Sequence, residues 1–327
     1  MSIMVVGGAG YIGSHTVKFL QELGREVVVY DNLSTGHAQS VSGCPLIVGD
    51  IFDKQLLVDT MVKYRVEAII HFAAFSLVGE SMHTPGKYYN NNIGGTLSLL
   101  EAMRAASVNK IVFSSTAATF GEPVYTPIDE EHPKDPTNVY GRTKLYMEGM
   151  LKDFDNAYGI KSIALRYFNA CGAHKSGLIG EDHSPETHLV PIIMQSILGM
   201  RGGVTVFGND YKTSDGTCIR DYIHVTDLAQ AHVLAVDKLL NGGDSDVFNL
   251  GNGNGFSVLD IISATERVTG KKVNYSIGER RSGDPAILIA GSQKAKDLLA
   301  WKPCFDDIHV ILEDAWRWHS NNKNGFK

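Results

Sequence analysis

The chain has 327 residues, 43% of them hydrophobic and 20% charged, with a formal net charge of −6. That length suits one large domain and a smaller one, and the acidic balance without clustered Lys and Arg excludes a basic field for nucleic acid. No apolar run approaches the roughly 20 residues that span a bilayer.

Residues 3–6, at the start, form a short apolar strand that runs straight into a glycine turn. Met1 to Val6 carries no basic region and too few apolar residues for a signal core, so a cytoplasmic protein is expected. The first half then alternates β-branched runs with helical patterns. Residues 3–6, 26–30, 68–72, 110–114 and 162–167 read as strands, and residues 13–23, 54–64, 91–106 and 140–158 as helices. Continuous apolar strands imply a sheet buried on both faces, the parallel, doubly wound α/β arrangement. Ile12, Phe19, Leu20 and Leu23 form an apolar stripe, with Gly24 where a C-terminal cap belongs.

After about residue 170 the rhythm loosens. A loop at 172–188, rich in Gly, His, Ser and Glu, leads to a helix near 189–198. A strand at 246–250 and helices near 227–240, 258–268, 293–299 and 308–319 follow. The expected division is a Rossmann domain over 1–170, joined again by 227–250, and a smaller α/β substrate-binding domain over 171–327. Cys44, Cys171, Cys218 and Cys304 show no CxxC spacing, which points to reduced thiols. The twelve histidines show no HxxxH or HxH pairing beside carboxylates, so no metal is expected.

Gly7-Gly8-Ala9-Gly10-Tyr11-Ile12-Gly13 follows a strand and opens a helix, and it satisfies GxGxxG through Gly8, Gly10 and Gly13. Glycines there permit a tight turn and let backbone N–H groups approach a pyrophosphate. Asp31 ends the second strand, where a carboxylate accepts from adenosine ribose hydroxyls and repels a 2′-phosphate, which favours NAD over NADP. Asp50, before Ile51, is placed to meet the adenine amino group. Phe72-Ala73-Ala74 ends the next strand with small residues where a cofactor passes closely.

Ser114-Ser115-Thr116 ends a strand, and Tyr140-Gly141-Arg142-Thr143-Lys144 begins a helix. A spacing of four puts Tyr140 and Lys144 on one face. A free tyrosine, with a pKa of about 10, is a poor base at neutral pH. The Lys144 ammonium and a positive nicotinamide are expected to favour its phenolate, while Thr116 orients the reacting hydroxyl. The pair alone is common on solvated helices; the weight lies in its following a dinucleotide fingerprint and a hydroxyl-rich strand end.

These residues resemble the extended short-chain dehydrogenase/reductase family, and within it the branch that inverts C4 of UDP-hexoses. The resemblance is carried by residues 7–15, 31–34, 71–74, 78–81, 88–92, 113–121, 140–144, 166–169, 180–182, 207–211, 215–224 and 249–255. The glycine turn and YxxxK mark the superfamily, and the later segments select the branch. The resemblance implies tightly held NAD, regenerated each turnover, and interconversion of UDP-galactose and UDP-glucose through a transient 4-keto sugar that swings about its link to UDP. It makes Tyr140 the base at the 4-hydroxyl, Lys144 its partner on the nicotinamide ribose, and Thr116 a hydrogen-bonding group at the 4-oxygen. It assigns to the cofactor Gly7, Gly10, Tyr11, Ile12, Gly13, Asp31, Asn32, Leu33, Ser34, Thr35, Gly36, Asp50, Ile51, Phe72, Ala73, Ala74, Ser76, Asn91 and Phe168. It assigns to the substrate Tyr167, Asn169, His188, Leu189, Thr205, Phe207, Arg220, Tyr222, Arg281, Asp284 and Leu288. Arg220 and Arg281 suit a diphosphate, Asp284 the uridine ribose, and Phe207 the uracil. It further implies a homodimer through the helices at 91–106 and 140–158.

Two departures stand out. Some members carry a lysine against the cofactor where this chain has Ser76. Leu288 aligns with a gatekeeper that is a bulky tyrosine where only glucose and galactose fit, so an expectation here is that UDP-GlcNAc and UDP-GalNAc also enter. Two rival functions remain. A nucleotide-sugar 4,6-dehydratase or decarboxylase needs an acid–base pair after the active Thr or Ser, whereas Thr116 is followed by Ala117-Ala118. A catalytically silent NAD-binding regulator would typically have lost Tyr140 or Lys144.

Overall fold

The computed structural model describes residues 2–281 and 284–326. Its centre is a seven-stranded sheet in the order β10-β6-β5-β4-β1-β2-β3, with every neighbouring pair parallel. The first four strands are β1 (Ser2–Val6), β2 (Glu26–Asp31), β3 (Leu46–Val48) and β4 (Val66–His71). β5 (Lys110–Thr116), β6 (Lys161–Tyr167) and β10 (Asp246–Leu250) complete it. All five residues of β1, SIMVV, are buried, as a strand covered on both faces requires.

Two apolar layers cover the sheet. On one side Val17 and Leu20 of α1 (Tyr11–Glu22) pack with Leu228, Ala231 and Val236 of α8 (Val225–Leu240). On the other, residues of α2 (Lys54–Lys63), α5 (Gly95–Ala105) and α6 (Val139–Tyr158) bury Leu57, Leu99, Leu100, Met103, Met147 and Leu151. Between α2 and α5 come the short helices α3 (Val78–His83) and α4 (Pro85–Tyr88). A π-turn at Tyr89–Gly94 then leads into α5, so the single helix expected over 91–106 is two segments. The π-turn aims Asn92 inward, where its amide donates to the Phe75 carbonyl and to Thr143 Oγ1.

The second half builds small sheets. β9 (Ile219–His224) pairs with β7 (Asn169–Cys171), β11 (Gly255–Ser257) and β13 (Ile287–Leu288), and β8 (Val204–Phe207) pairs with β12 (Tyr275–Gly278). A third core joins α7 (Leu189–Ile197), α9 (Val258–Thr269) and α11 (Ile308–Asn321) through Ile193, Met194, Ile261, Ile311 and Leu312. Not only α8 and β10 lie on the large sheet: Ala295 of α10 (Gln293–Leu298), Leu299 and Trp301 join its core as well. The small strands were not expected from sequence. They are two to six residues long, and β9 buries Arg220, Asp221 and His224, so no apolar alternation marks it. The buried Asp221 accepts from the backbone N–H groups of Asn252, Gly253 and Ala290, which ties β9 to its neighbours; burial still pushes its carboxyl up to about 6, against those hydrogen bonds.

Candidate active site

The carboxyl ends of the parallel strands open into one cleft of about 1290 Å³. A pocket for a single small ligand holds roughly 300–1,000 Å³, so this cleft has room for two nucleotide-sized molecules. Its position at the strand ends, where the chain reverses direction across the sheet, is the usual one for ligands in open α/β folds.

The glycine turn forms one end. Gly7 has φ +77, and a Cβ there would lie 2.5 Å from the Ala73 nitrogen; at Gly13 a Cβ would lie 2.4 Å from the Gly7 carbonyl oxygen. Only glycine fits either contact. Gly10 caps α1 without a side chain, so the first N–H groups of the helix face the cleft free to bind an anion. Asp31 is buried and accepts from Ala9 N at 2.9 Å and Leu33 N at 2.8 Å. Burial raises its pKa, and those hydrogen bonds oppose the rise. Each bond takes one lone pair of its oxygens, which leaves acceptors for ribose hydroxyls. These residues fit a dinucleotide with a free 2′-hydroxyl.

The middle of the cleft carries the hydroxyl and amine groups. Asn138 caps α6 by accepting from Gly141 N, which starts the helix just before Tyr140. Tyr140, Lys144 and Thr116 all line the cleft. Lys144 is 2% exposed; its Nζ donates to the Ser114 carbonyl at 2.8 Å and lies 5.9 Å from the Tyr140 ring centroid. Burial lowers its pKa to about 7, while Glu148 acts to raise it. Burial raises the Tyr140 hydroxyl to about 12, only partly opposed by the Thr116 hydroxyl. Lys144 itself is held by the Ser114 carbonyl.

Beneath this triad lies a network that the sequence did not reveal. Glu148 accepts two hydrogen bonds from Arg166, at 2.9 and 2.6 Å, and one from Ser115 Oγ at 2.6 Å. Glu148 follows Lys144 by one helical turn, Ser115 precedes Thr116, and Arg166 precedes Tyr167. The buried pair therefore ties α6 to the ends of β5 and β6. The YxxxK spacing extended by four more residues was the only available signal.

The far end of the cleft is cationic. Arg220 donates to Asp284, and the Arg281 guanidinium lies 4.0 Å from the Phe207 ring centroid. Both arginines line the cleft with Asn169, His188, Leu189, Thr205 and Tyr222. Of the expected site residues, Leu33, Gly36, Asp50 and Leu288 are not among the lining residues. Leu33, with φ 57, packs on the core; a Cβ on Gly36 would meet Ala9; Asp50 accepts from the Asn32 amide and Phe52 N. Leu288 is half-buried and packs, as Phe168 does, against the cluster of Ala117, Phe120 and Ile128.

Imidazoles and carboxylates do gather at one place among the described residues. Glu181, His183, Glu186 and His188 converge on one wall of the cleft. HxxxH spacing misses them because His183 and His188 are five residues apart on a loop. Burial favours the neutral imidazoles, yet the two carboxylates outweigh it and push His183 up to about 9 and His188 to about 10.

The model of the NAD dependent epimerase/dehydratase family matches residues 3–251. The UDP-glucose 4-epimerase of Lacticaseibacillus casei is 54% identical, covering 100% of this chain and 99% of the relative. The crystal structure of UDP-glucose 4-epimerase from Brucella ovis in complex with NAD superposes with a TM-score of 0.94 at 50% identity, covering 96% of this chain and 97% of that one. That of Bifidobacterium longum in complex with NAD+ and UDP gives a TM-score of 0.94 at 39% identity, with both chains fully covered. With its glycine turn, its Tyr–Lys helix and these relatives along its whole length, the chain belongs to the NAD dependent epimerase/dehydratase family, in the branch of the UDP-glucose 4-epimerases.

Proposed function

We propose that this protein interconverts UDP-galactose and UDP-glucose by inverting C4 through a transient 4-keto sugar, with NAD at the glycine-turn end of the cleft and the UDP-sugar at the arginine end. The observation that carries the reading is one continuous cleft in which Tyr140, Lys144 and Thr116 lie between the open N-terminus of α1 and the Arg220–Arg281 pair. NAD, when bound, supplies a reversible two-electron acceptor and a positive ring. Gly7, Gly10 and Gly13 let its pyrophosphate meet the N-terminus of α1, Asp31 holds the adenosine ribose, and Lys144 has two N–H donors left for the nicotinamide ribose.

Tyr140 takes the proton of the 4-hydroxyl and later returns it, while Thr116 positions that oxygen. Because burial holds the phenol protonated, its activation depends on positive charge brought near it. Arg220 and Arg281 grip the diphosphate, with Phe207 and Asp284 at the nucleoside. Binding energy remote from C4 thus retains the keto sugar while its hexose turns. Leu288 packs against the same cluster as Phe168, which lines the cleft, and its modest bulk leaves N-acetylated UDP-hexoses as further substrates. The division of labour follows the two halves of the fold, residues 1–170 with 227–250 for the cofactor and most of 171–327 for the substrate. Leu97, Tyr146 and Tyr158 are exposed on α5 and α6, which supports a homodimer through these helices.

Purified protein incubated with UDP-galactose, without added cofactor, should yield UDP-glucose and reach the same ratio from either sugar. Activity that appears only on adding NAD keeps the reading and assigns weak retention, with Ser76 the first position to restore. No interconversion with NAD present rejects it.

A further inference from the structure

The loop between Gly180 and α7 gathers two imidazoles and two carboxylates, and both of its ends are fixed. At one end a Cβ on Gly180 would overlap the Trp318 ring, and Trp318 Nε1 donates to the Glu181 carbonyl at 3.1 Å. At the other, His188 is the N-cap of α7. Between them, the Glu181 and Glu186 side chains are each only 4% exposed. Glu186 Oε1 is further oriented by the backbone N–H groups of Thr187 and His188, at 2.8 and 2.9 Å.

We propose that Glu181, His183, Glu186 and His188 form a binding site for a four-coordinate transition-metal dication of the Zn²⁺ class. Their ligand atoms all lie within 4.8 Å of one another. Both histidines turn Nδ1 inward: Glu181 Oε1 lies 3.3 Å from His183 and 2.6 Å from His188, while His183 faces Glu186 Oε2 at 3.7 Å and His188 faces Glu186 Oε1 at 3.4 Å. Bonds of about 2.0–2.1 Å in a tetrahedron require ligand–ligand edges of roughly 3.3–3.4 Å. The imidazole–carboxylate separations lie around that length, so side-chain movement that brings one oxygen of each glutamate and both Nδ1 atoms to a common centre makes the site. His183 Nδ1 is buried and makes no well-formed hydrogen bond within the cluster, although both carboxylates are near it. A donor set of two imidazoles and two carboxylates suits Zn²⁺ and Co²⁺ better than Mg²⁺, which prefers oxygen and water. With four protein ligands the site is closed, so the metal serves as a clamp that fastens this wall of the cleft to α7.

The test uses the purified protein with its endogenous nucleotide, titrated with Co²⁺ and then Zn²⁺. The expected result is one Co²⁺ per chain with the intense visible bands of four-coordinate cobalt, displaced by Zn²⁺, and a higher melting temperature with Zn²⁺. His183→Ala should abolish the bands and the thermal shift, and Glu186→Gln should weaken Co²⁺ binding at least tenfold. Circular dichroism of each variant distinguishes loss of the site from loss of the fold, and Glu186→Gln carries the test if His183→Ala does not fold. A pale six-coordinate spectrum, thiolate charge-transfer bands from the exposed Cys304, or stoichiometry unchanged in a folded variant would each overturn the proposal.

Discussion

Tyr140 sits where two demands conflict. Its phenol must ionise to act as a base, yet burial raises it to about 12 and the nearest cation, Lys144, is hydrogen-bonded to the Ser114 carbonyl. In the proposed reading, the polypeptide positions Tyr140 and Lys144 and the charge of the cofactor completes them. Tyr140→Phe removes the base and leaves the glycine turn and Lys144 intact. It should lower kcat by about 10²–10⁴ while nucleotide released on denaturation, measured by chromatography, stays at the wild-type level. A variant that loses its nucleotide would instead make Tyr140 a cofactor-binding group. The YxxxK spacing shows at once which two side chains share a face. It says nothing about burial, and burial sets the direction in which the tyrosine titrates.

At the scale of elements, two junctions position the site. The first is the approach of α1 to the glycine turn. Gly13→Ala places a methyl 2.4 Å from the Gly7 carbonyl oxygen, a contact that backbone cannot relieve without shifting the helix. The variant should fold yet purify with little bound NAD, read from the nucleotide content of the denatured protein. Wild-type content would show that the turn tolerates the shift. The second junction is the Glu148 carboxylate, which joins α6 to the ends of β5 and β6 through Ser115 and Arg166. Arg166 is 3% exposed, so Glu148→Ala strands a buried guanidinium. Breaking such a pair from one side costs about 3–5 kcal/mol, a loss that urea denaturation measures. A loss under about 1 kcal/mol would mean that water reaches Arg166 readily. The glycine turn was legible because its chemistry is local in sequence. Glu148 was not, because its partners lie 18 and 33 residues away.

Across the whole molecule, three histidines buried in the neutral form act to lower stability in acid, opposed in part by the raised carboxyl of Asp221. Burial lowers His15 and His71 to about 3 and His232 to about 4. Each has a folded pKa below its unfolded value of about 6.5, so the unfolded chain binds more protons between these limits. Stability from these groups is complete above pH 6.5 and is lost as the pH falls toward about 4 for His232 and about 3 for His15 and His71. Each contributes a slope of up to about 1.4 kcal/mol per pH unit, together roughly 4 kcal/mol per pH unit. Denaturation midpoints at pH 7, 6 and 5 should fall progressively, and His232→Phe should flatten the slope by about a third. A flat profile would show that water enters these cavities.

The sequence by itself determined the doubly wound sheet, the dinucleotide turn and the Tyr–Lys helix, because strand hydrophobicity, glycine spacing and helical period are all written within a few residues. It also carried the family resemblance along the whole chain. Only the tertiary structure decided the short second-half strands, whose buried Arg220, Asp221 and His224 obey no apolar pattern. It likewise decided the return of α10 and Trp301 to the large sheet and the meeting of His183 and His188 with two glutamates. Each of these depends on which distant segments share a buried surface, and burial is a property of the packed molecule.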